Sequence, residues 1–501
     1  MAPRTSSALQ PAAPTPSLGN FGSGTAAGAT RTRRRSPRVN DIHSRLNATT
    51  VERILYPESV EAVARIVRRA RRQRKAICVA GGRHAMGGQQ FAHGALLVDT
   101  RRLDRVLDLD QERGTIEVEA GIQWPALIRY LLAAQEGRDR QWGIAQKQTG
   151  ADRFSLGGSL ATNIHGRGLR MRPMIGDVES FVIVDAEGTP RSCSREENPD
   201  IFRLAIGGYG LFGIITSVKL RLTPRRKLRR QVEVIRSTEL VPAFEQRIAE
   251  GHLYGDFQFV TDERSEGFLR EGIFSTYAPV DADTPMPPAQ RELSADEWRD
   301  LLCLAHADKR EAYARYAAHY LATSGQLYWS DTHQLSVYLD DYHRELDARL
   351  GCRERGSEMI TELYVPRSAL TGFLEEARED FRRTGVNLIY GTVRLIERDE
   401  ESLLAWAREP FACIVFNLHV THTPAGVAHA AAAFRRLIDL AIRRGGSFYL
   451  TYHRYATRAQ VEACYPQFAE FLRLKRKCDP EERFQSEWYR HYRALFERGA
   501  E

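Results

Sequence analysis

Three glycine-rich loops set between short apolar strands constrain this 501-residue chain more than any other feature. They read "AGGRHAMGGQ" (80–89), "SLGGSLATNIHGRG" (155–168) and "IGGYGLFGIITSVKLRLTP" (206–224), all inside one strand-rich stretch, residues 41–225. Glycine lets a backbone approach a ligand closely and adopts dihedrals that other residues avoid. Three such loops in one unit imply a single extended ligand threaded across it.

The flanking segments supply a scaffold. In "PESVEAVARIVRRARRQRK", Val60, Val63, Val67 and Ala70 recur at helical spacing, and "AICVA" follows as a buried strand running into the first loop. "GALLVDT", "RVLDLD", "GTIEVEAG" and "ESFVIVDAEG" read as strands, and "WPALIRYLLAAQ" as a helix with Pro125 in its first turn. Gly208-x-Gly210-x-x-Gly213 matches the dinucleotide fingerprint formally. That fingerprint needs a strand before it and a helix after it. Here "NPDIFRLAI" leads in as a helix and "GIITSVKLRL" leads out as a strand, so a Rossmann site is rejected.

Residues 226–455 have a different texture, with few glycines and alternating helices and strands, and read as a second domain. "EMITELYVP", "NLIYGTVRLIE" and "FACIVFNLHVTH" are its expected strands. "AQRELSADEWRDLLCLAHADKREAYARYAAHYLA" and "GVAHAAAAFRRLIDLAIRRGG" are its expected helices. In the final segment, 456–501, a helix carrying Phe468, Phe471 and Leu472 on one side should stop before Asp479–Pro480.

The net charge of +8 raises the question of a nucleic-acid or membrane-surface partner, but six of these charges are arginines within residues 1–40, a stretch without acids. The remainder carries only +2. Rich in Pro, Gly, Ala, Ser and Thr, the first 40 residues read as a solvated, disordered basic tail. No nucleic-acid partner and no membrane span are expected, and the seven scattered cysteines, never spaced C-x-x-C, suit a reducing, cytoplasmic compartment. The histidines of "HADKREAYARYAAHY" and "SDTHQLSVYLDDYH" form no recognised metal motif with an acidic third ligand, so no metal site is expected. The oligomeric state is left open.

Taken in order, "VERILYPESVEAVARIVRRA", "AICVAGGRHAMGGQ", "GALLVDTRRLDRV", "TIEVEAGIQW", "SLGGSLATNIHGRG" and "IFRLAIGGYGLFGIITSVKLRLTP" resemble the PCMH-type FAD-binding domain of the vanillyl-alcohol oxidase superfamily. "KRKCDPEERFQSEWY" is similar to that superfamily's returning C-terminal segment. The resemblance implies an α+β fold: a two-subdomain FAD-binding domain (41–225), a substrate or cap domain with an antiparallel sheet (226–455), and a return to the first domain (456–501). It implies FAD held by Gly81, Gly82, Arg83, His84, Ala85, Gly88 and Gln89 around the diphosphate. Gly157, Gly158, Ala161, Thr162, Asn163, His165 and Gly166 would line the flavin, and Gly213, Ile214 and Ile215 would lie near the adenine. His84 falls where aldonolactone oxidases, alditol oxidases and cytokinin dehydrogenases carry the histidine bonded to the flavin 8α carbon. The chain departs from their "G-H-S" pattern in having Ala85.

"TVRLIERDEESLLAWA" resembles the strand that presents an arginine to substrate and flavin in aldonolactone and alditol oxidases, which makes Arg394 the candidate cation. Those relatives often carry an acid two residues earlier, where this chain has Thr392, and Ala456 stands where they have a lysine. Taking a hydride from a hydroxyl-bearing carbon to the flavin requires a base for the hydroxyl proton and a cation for the reduced ring. His453, with His419 as an alternative, suits the base, and Tyr452, Tyr390, Asn417 and Glu362 are candidate pocket residues. The expected activity is oxidation of a hydroxyl-bearing small molecule, with O2 or another acceptor reoxidising the flavin and an oxidase preferred to a dehydrogenase. Two alternatives stand beside it: a noncovalent flavoenzyme resembling sterol Δ24-reductases or lipid-linked ribose 2-oxidases, and a basic-tailed nucleic-acid or membrane-surface protein.

Overall fold

The computed structural model describes residues 36–336, 339 and 342–497. The expected basic tail lies outside the described residues as far as Arg35. Its last residues are ordered: Arg38–Val39 pairs antiparallel with Thr49–Thr50. The described residues form one compact unit.

The first part is built on two small sheets, as an α+β fold requires. Strands Arg53–Leu55, Leu96–Asp99 and Ile77–Ala80 lie side by side in that order, all parallel. Helix Val60–Arg72 covers them, started by Ser59, whose hydroxyl accepts from the Ala62 amide at 3.2 Å. It buries Val63, Ala64, Val67 and Ala70, so the apolar spacing read in the sequence is its inner face. The second sheet is antiparallel, in the order Pro190–Ser194, Val178–Val184, Ile214–Arg221, Thr115–Glu119 and Val106–Asp110. Helix Pro199–Ala205 precedes the third glycine loop and strand Ile214–Arg221 follows it, the reverse of a dinucleotide-binding turn.

The second part is an eight-stranded antiparallel sheet, in the order Leu327–Trp329, Lys227–Arg236, Glu271–Pro279, Tyr254–Phe259, Leu388–Ile396, Phe411–Thr421, Gly356–Pro366 and Ser447–Phe448. Side chains alternate across it. One face carries Met359, Leu363, Val393, Ile414, Phe416 and Leu418, packed with Phe373, Phe381, Phe434 and Leu437 of helices Leu370–Thr384 and Pro424–Ile442 in the largest core. The other face, in register across three strands, carries Glu358, Ile360, Glu362, Val415, Asn417, His419, Tyr390, Thr392 and Arg394. This polar face is the one that meets the glycine loops.

The C-terminal segment closes back on the first sheet. Helix Phe468–Cys478 buries Phe468, Phe471 and Leu472 and stops before Asp479–Pro480. Phe484 then bridges Ile77 in parallel, with the Ile77 amide donating to the Arg483 carbonyl at 2.7 Å. Asp479 fixes the turn between them: it accepts from the amides of Arg483 and Phe484, each at 2.8 Å, and pairs with the wholly buried Lys475 at 2.5 Å. Among the described residues, no helix is long and apolar enough to cross a membrane.

Candidate active site

A cavity of ≈ 220 Å³ runs between the glycine loops and the polar face of the large sheet. Gly81, Gly82, Arg83, His84, Ala85 and Gln89 from the first loop line it. So do Gly157, Gly158, Ala161, Thr162 and His165 from the second, and Gly213 and Ile215 from the third. Glu362, Arg394 and Tyr452 close it from the sheet side.

The glycines are needed where they stand. A Cβ on Gly81 would lie 1.9 Å from the Ser155 hydroxyl oxygen, and one on Gly82 would lie 2.2 Å from the Arg153 carbonyl. Gly213 has φ +148° and backs onto the Val184 carbonyl. Arg83, expected to add charge to a diphosphate cradle, has its guanidinium on Asp99 at 2.9 Å instead. The main chain of this loop is therefore what faces the cavity.

His84 is buried and fixed on several sides. Its Nδ1 lies 2.8 Å from Nε2 of His43, its ring stacks on Phe154 with centroids 4.1 Å apart, and it hydrogen-bonds the Arg153 backbone. Burial, reinforced by the neighbouring His43, holds its pKa well below the usual histidine range. His43 is also lowered by burial, to about 4, against the opposing pull of Asp41. The two imidazoles are therefore a neutral, hydrogen-bonded pair at neutral pH.

At the sheet end, Glu362 is buried and takes two partners. His165 Nε2 lies 2.5 Å from one carboxylate oxygen, and the Tyr452 hydroxyl donates to the other at 3.1 Å. Burial pushes the Glu362 pKa up, but His165, Arg394 and Tyr452 together outweigh it, so the carboxyl sits below its ordinary value and is ionised. Arg394 is buried as well, and its Nε has no hydrogen-bond partner. Thr392 and Glu362 lie opposite the same residue, Val415, from its two sides. The acid that Thr392 fails to supply is thus present in the same row of the sheet, two strands away.

Other expected residues are placed elsewhere. Gly88, Asn163, Gly166 and Ile214 support the loops without lining the cavity. Asn163 bonds Asp399 at 2.9 Å and the Ile175 amide at 3.0 Å, and Ile214 packs in the core under helix Val60–Arg72. A Cβ on Gly166 would strike the Lys147 carbonyl at 2.8 Å, and Gly88, at φ +76°, turns the chain beneath Glu487. His453, expected as a base, is buried outside the cavity against Tyr455, and burial lowers its pKa to about 4 despite Asp41. His419 is farther along the sheet face beside His306, lowered to about 4 by burial and by that histidine. Tyr390, Thr392 and Asn417 share the polar face but not the cavity wall. Sequence reasoning missed His43, Phe154, Tyr449 and the stretch Gln148–Ala151, all of which line the cavity.

Three loops that admit only glycine at their closest approaches, one cavity lined by all three, and a buried, partnerless guanidinium nitrogen on its wall fit FAD. The fold and the cavity define an FAD-dependent oxidoreductase. Residues 51–194 match the family model of the FAD binding domain. The chain is 24% identical to cytokinin dehydrogenase 4 of Oryza sativa subsp. japonica over 473 residues, covering 85% of this chain and 83% of that protein. It is 30% identical over 174 residues to a putative D-arabinono-1,4-lactone oxidase of Neurospora crassa, covering 34% of this chain and 30% of that protein. It is 29% identical over 175 residues to L-gulonolactone oxidase of Mus musculus, covering 35% and 38%. These relatives bear out the resemblance read from the glycine loops, and the enzyme oxidises a small molecule with FAD.

Proposed function

We propose that the protein oxidises a hydroxyl-bearing small molecule, with FAD joined covalently to His84 and O2 preferred as the acceptor. FAD, when bound, accepts the hydride. The observation that carries the reading is the cluster of ionised Glu362, His165, Tyr452 and Arg394, whose Nε has no hydrogen-bond partner, on the wall of the cavity that also contains His84.

The main chain of residues 81–85, with Ser155, Gly157 and Gly158, would hold the diphosphate. His43 hydrogen-bonds one nitrogen of His84, which fixes its tautomer and keeps the ring neutral and nucleophilic. Glu362 receives the substrate hydroxyl proton, replacing the expected histidines in that role. Tyr452 and His165 orient the carboxylate, and Arg394 supplies positive charge where negative charge develops. The Ala85 departure is compatible with this reading because the partner of the His84 imidazole is His43, not the following residue.

The test is acid precipitation of purified protein. A yellow pellet is expected from the wild type and a colourless one from His84→Ala. A colourless wild-type pellet with FAD in the supernatant would favour the noncovalent class. Anaerobic bleaching of the flavin against alcohols, sugars and lactones then identifies the substrate, and oxygen consumption distinguishes oxidase from dehydrogenase.

A further inference from the structure

A second polar cluster lies on the same sheet face, four residues along strand Gly356–Pro366 from Glu362, or about 13 Å at the rise of a strand. Glu358 stands directly opposite His419 on the neighbouring strand. Helix Ala295–Ala307 brings His306, whose Nε2 is 3.0 Å from one Glu358 oxygen, and helix Tyr342–Arg349 brings His343, whose Nε2 is 3.2 Å from the other. One donor atom each from His306, Glu358 and His419 lies within 4.8 Å of the others. Nδ1 of His419 and Nδ1 of His343 are both buried without a hydrogen-bond partner.

The surroundings make room for this arrangement. A Cβ on Gly356 would lie 2.3 Å from Cε1 of His419, so only glycine lets that ring sit over the strand. Helix Ala295–Ala307 buries no residue, whereas Tyr342–Arg349 is tied to the strand by the Tyr342 hydroxyl, which donates to Glu358, and by Asp347, which accepts from the Gly356 amide at 3.1 Å. Helices this short are marginal without a packed face.

We propose that His306, His419 and Glu358 bind a zinc ion that clamps helix Ala295–Ala307 onto the sheet. Two imidazoles and a carboxylate, with solvent in the fourth position, are a tetrahedral zinc donor set. At ligand bonds of about 2.0–2.1 Å, tetrahedral donor atoms stand roughly 3.3 Å apart, against 3.0 Å between His306 and Glu358 and no more than 4.8 Å between any two of the three donors. Binding replaces the hydrogen bond between Glu358 and His306 by metal bonds, and the proton held between them leaves to solvent. Zinc undergoes no change of oxidation state, and the site is separate from the flavin cavity.

The test uses the full-length flavoprotein, stripped with a chelator, dialysed against zinc sulfate and analysed for bound metal. One zinc per chain is expected, with affinity at least about tenfold weaker in His419→Ala and Glu358→Gln and unchanged in His429→Ala, which alters an exposed helix residue. Zinc should raise the melting temperature of the wild type and slow proteolysis between residues 283 and 350, and should do neither in the two ligand variants. X-ray absorption at the zinc edge of the wild type should show imidazole scattering, which decides the matter even if a variant fails to fold. Wild-type protein that retains no more zinc than His419→Ala, or zinc without imidazole neighbours, would overturn the proposal.

Discussion

His84 owes its position to residues far from it in sequence. His43 sits 41 positions upstream in a segment with no periodic pattern, and only the fold brings the two rings to 2.8 Å. Replacing His43 with leucine should leave FAD in the purified protein but shift it from the acid-precipitated pellet to the supernatant. An unchanged pellet would remove His43 from the attachment. Glu362→Gln should keep both the flavin and the fold and lower the rate of anaerobic flavin reduction by about 10²–10⁴-fold, with Glu362→Asp recovering part of it; a rate within twofold of wild type would exclude Glu362 as the base. The sequence identified Glu362 as a pocket residue but not its chemistry, because that depends on which strands are neighbours. Tyr452 reaches Glu362 while the adjacent His453 points toward Tyr455, a divergence that residue type alone does not reveal.

At the scale of elements, most of what was legible came from period and punctuation. Val63, Val67 and Ala70 gave the inner face of helix Val60–Arg72, and Pro480 gave the end of helix Phe468–Cys478. The helix-then-strand setting of Gly208–Gly213 correctly excluded a dinucleotide turn. Strand order was not legible, since Glu362, Val415 and Thr392 come together across connections of many residues. For the same reason, His306, Glu358 and His419, on one helix and two strands, carried no spacing signal. The C-terminal return offers a test of its own. Asp479→Ala leaves the buried Lys475 ammonium without its carboxylate, which should cost about 3–5 kcal/mol in urea unfolding; a loss below about 1 kcal/mol would show that the turn does not depend on the pair.

For the whole molecule, buried neutral histidines link stability to pH. His43 and His453 are each lowered from 6.5 to about 4, chiefly by burial. Their folded-state values lie below those of the unfolded chain, so below pH 6.5 the unfolded chain takes up protons that the fold refuses until about pH 4. Their contribution is complete above 6.5 and lost as the pH falls toward 4. Calorimetry should show a melting temperature level above pH 7 that declines between 6.5 and 5, less steeply in His453→Phe; a level profile down to pH 5 would contradict the linkage.

The first glycine loop also depends on chain made much later. Gln89 donates to the carbonyls of Leu450 and Thr451, the Trp488 indole donates to Leu450, and Phe484 pairs beside the strand that leads into the loop. A ribosome makes the His84 loop well before its supports, with Gln89 and Leu450 separated by 361 positions. Until these residues are made, the nascent protein has the first glycine loop but not its complete FAD-binding site, and cofactor capture waits on their synthesis.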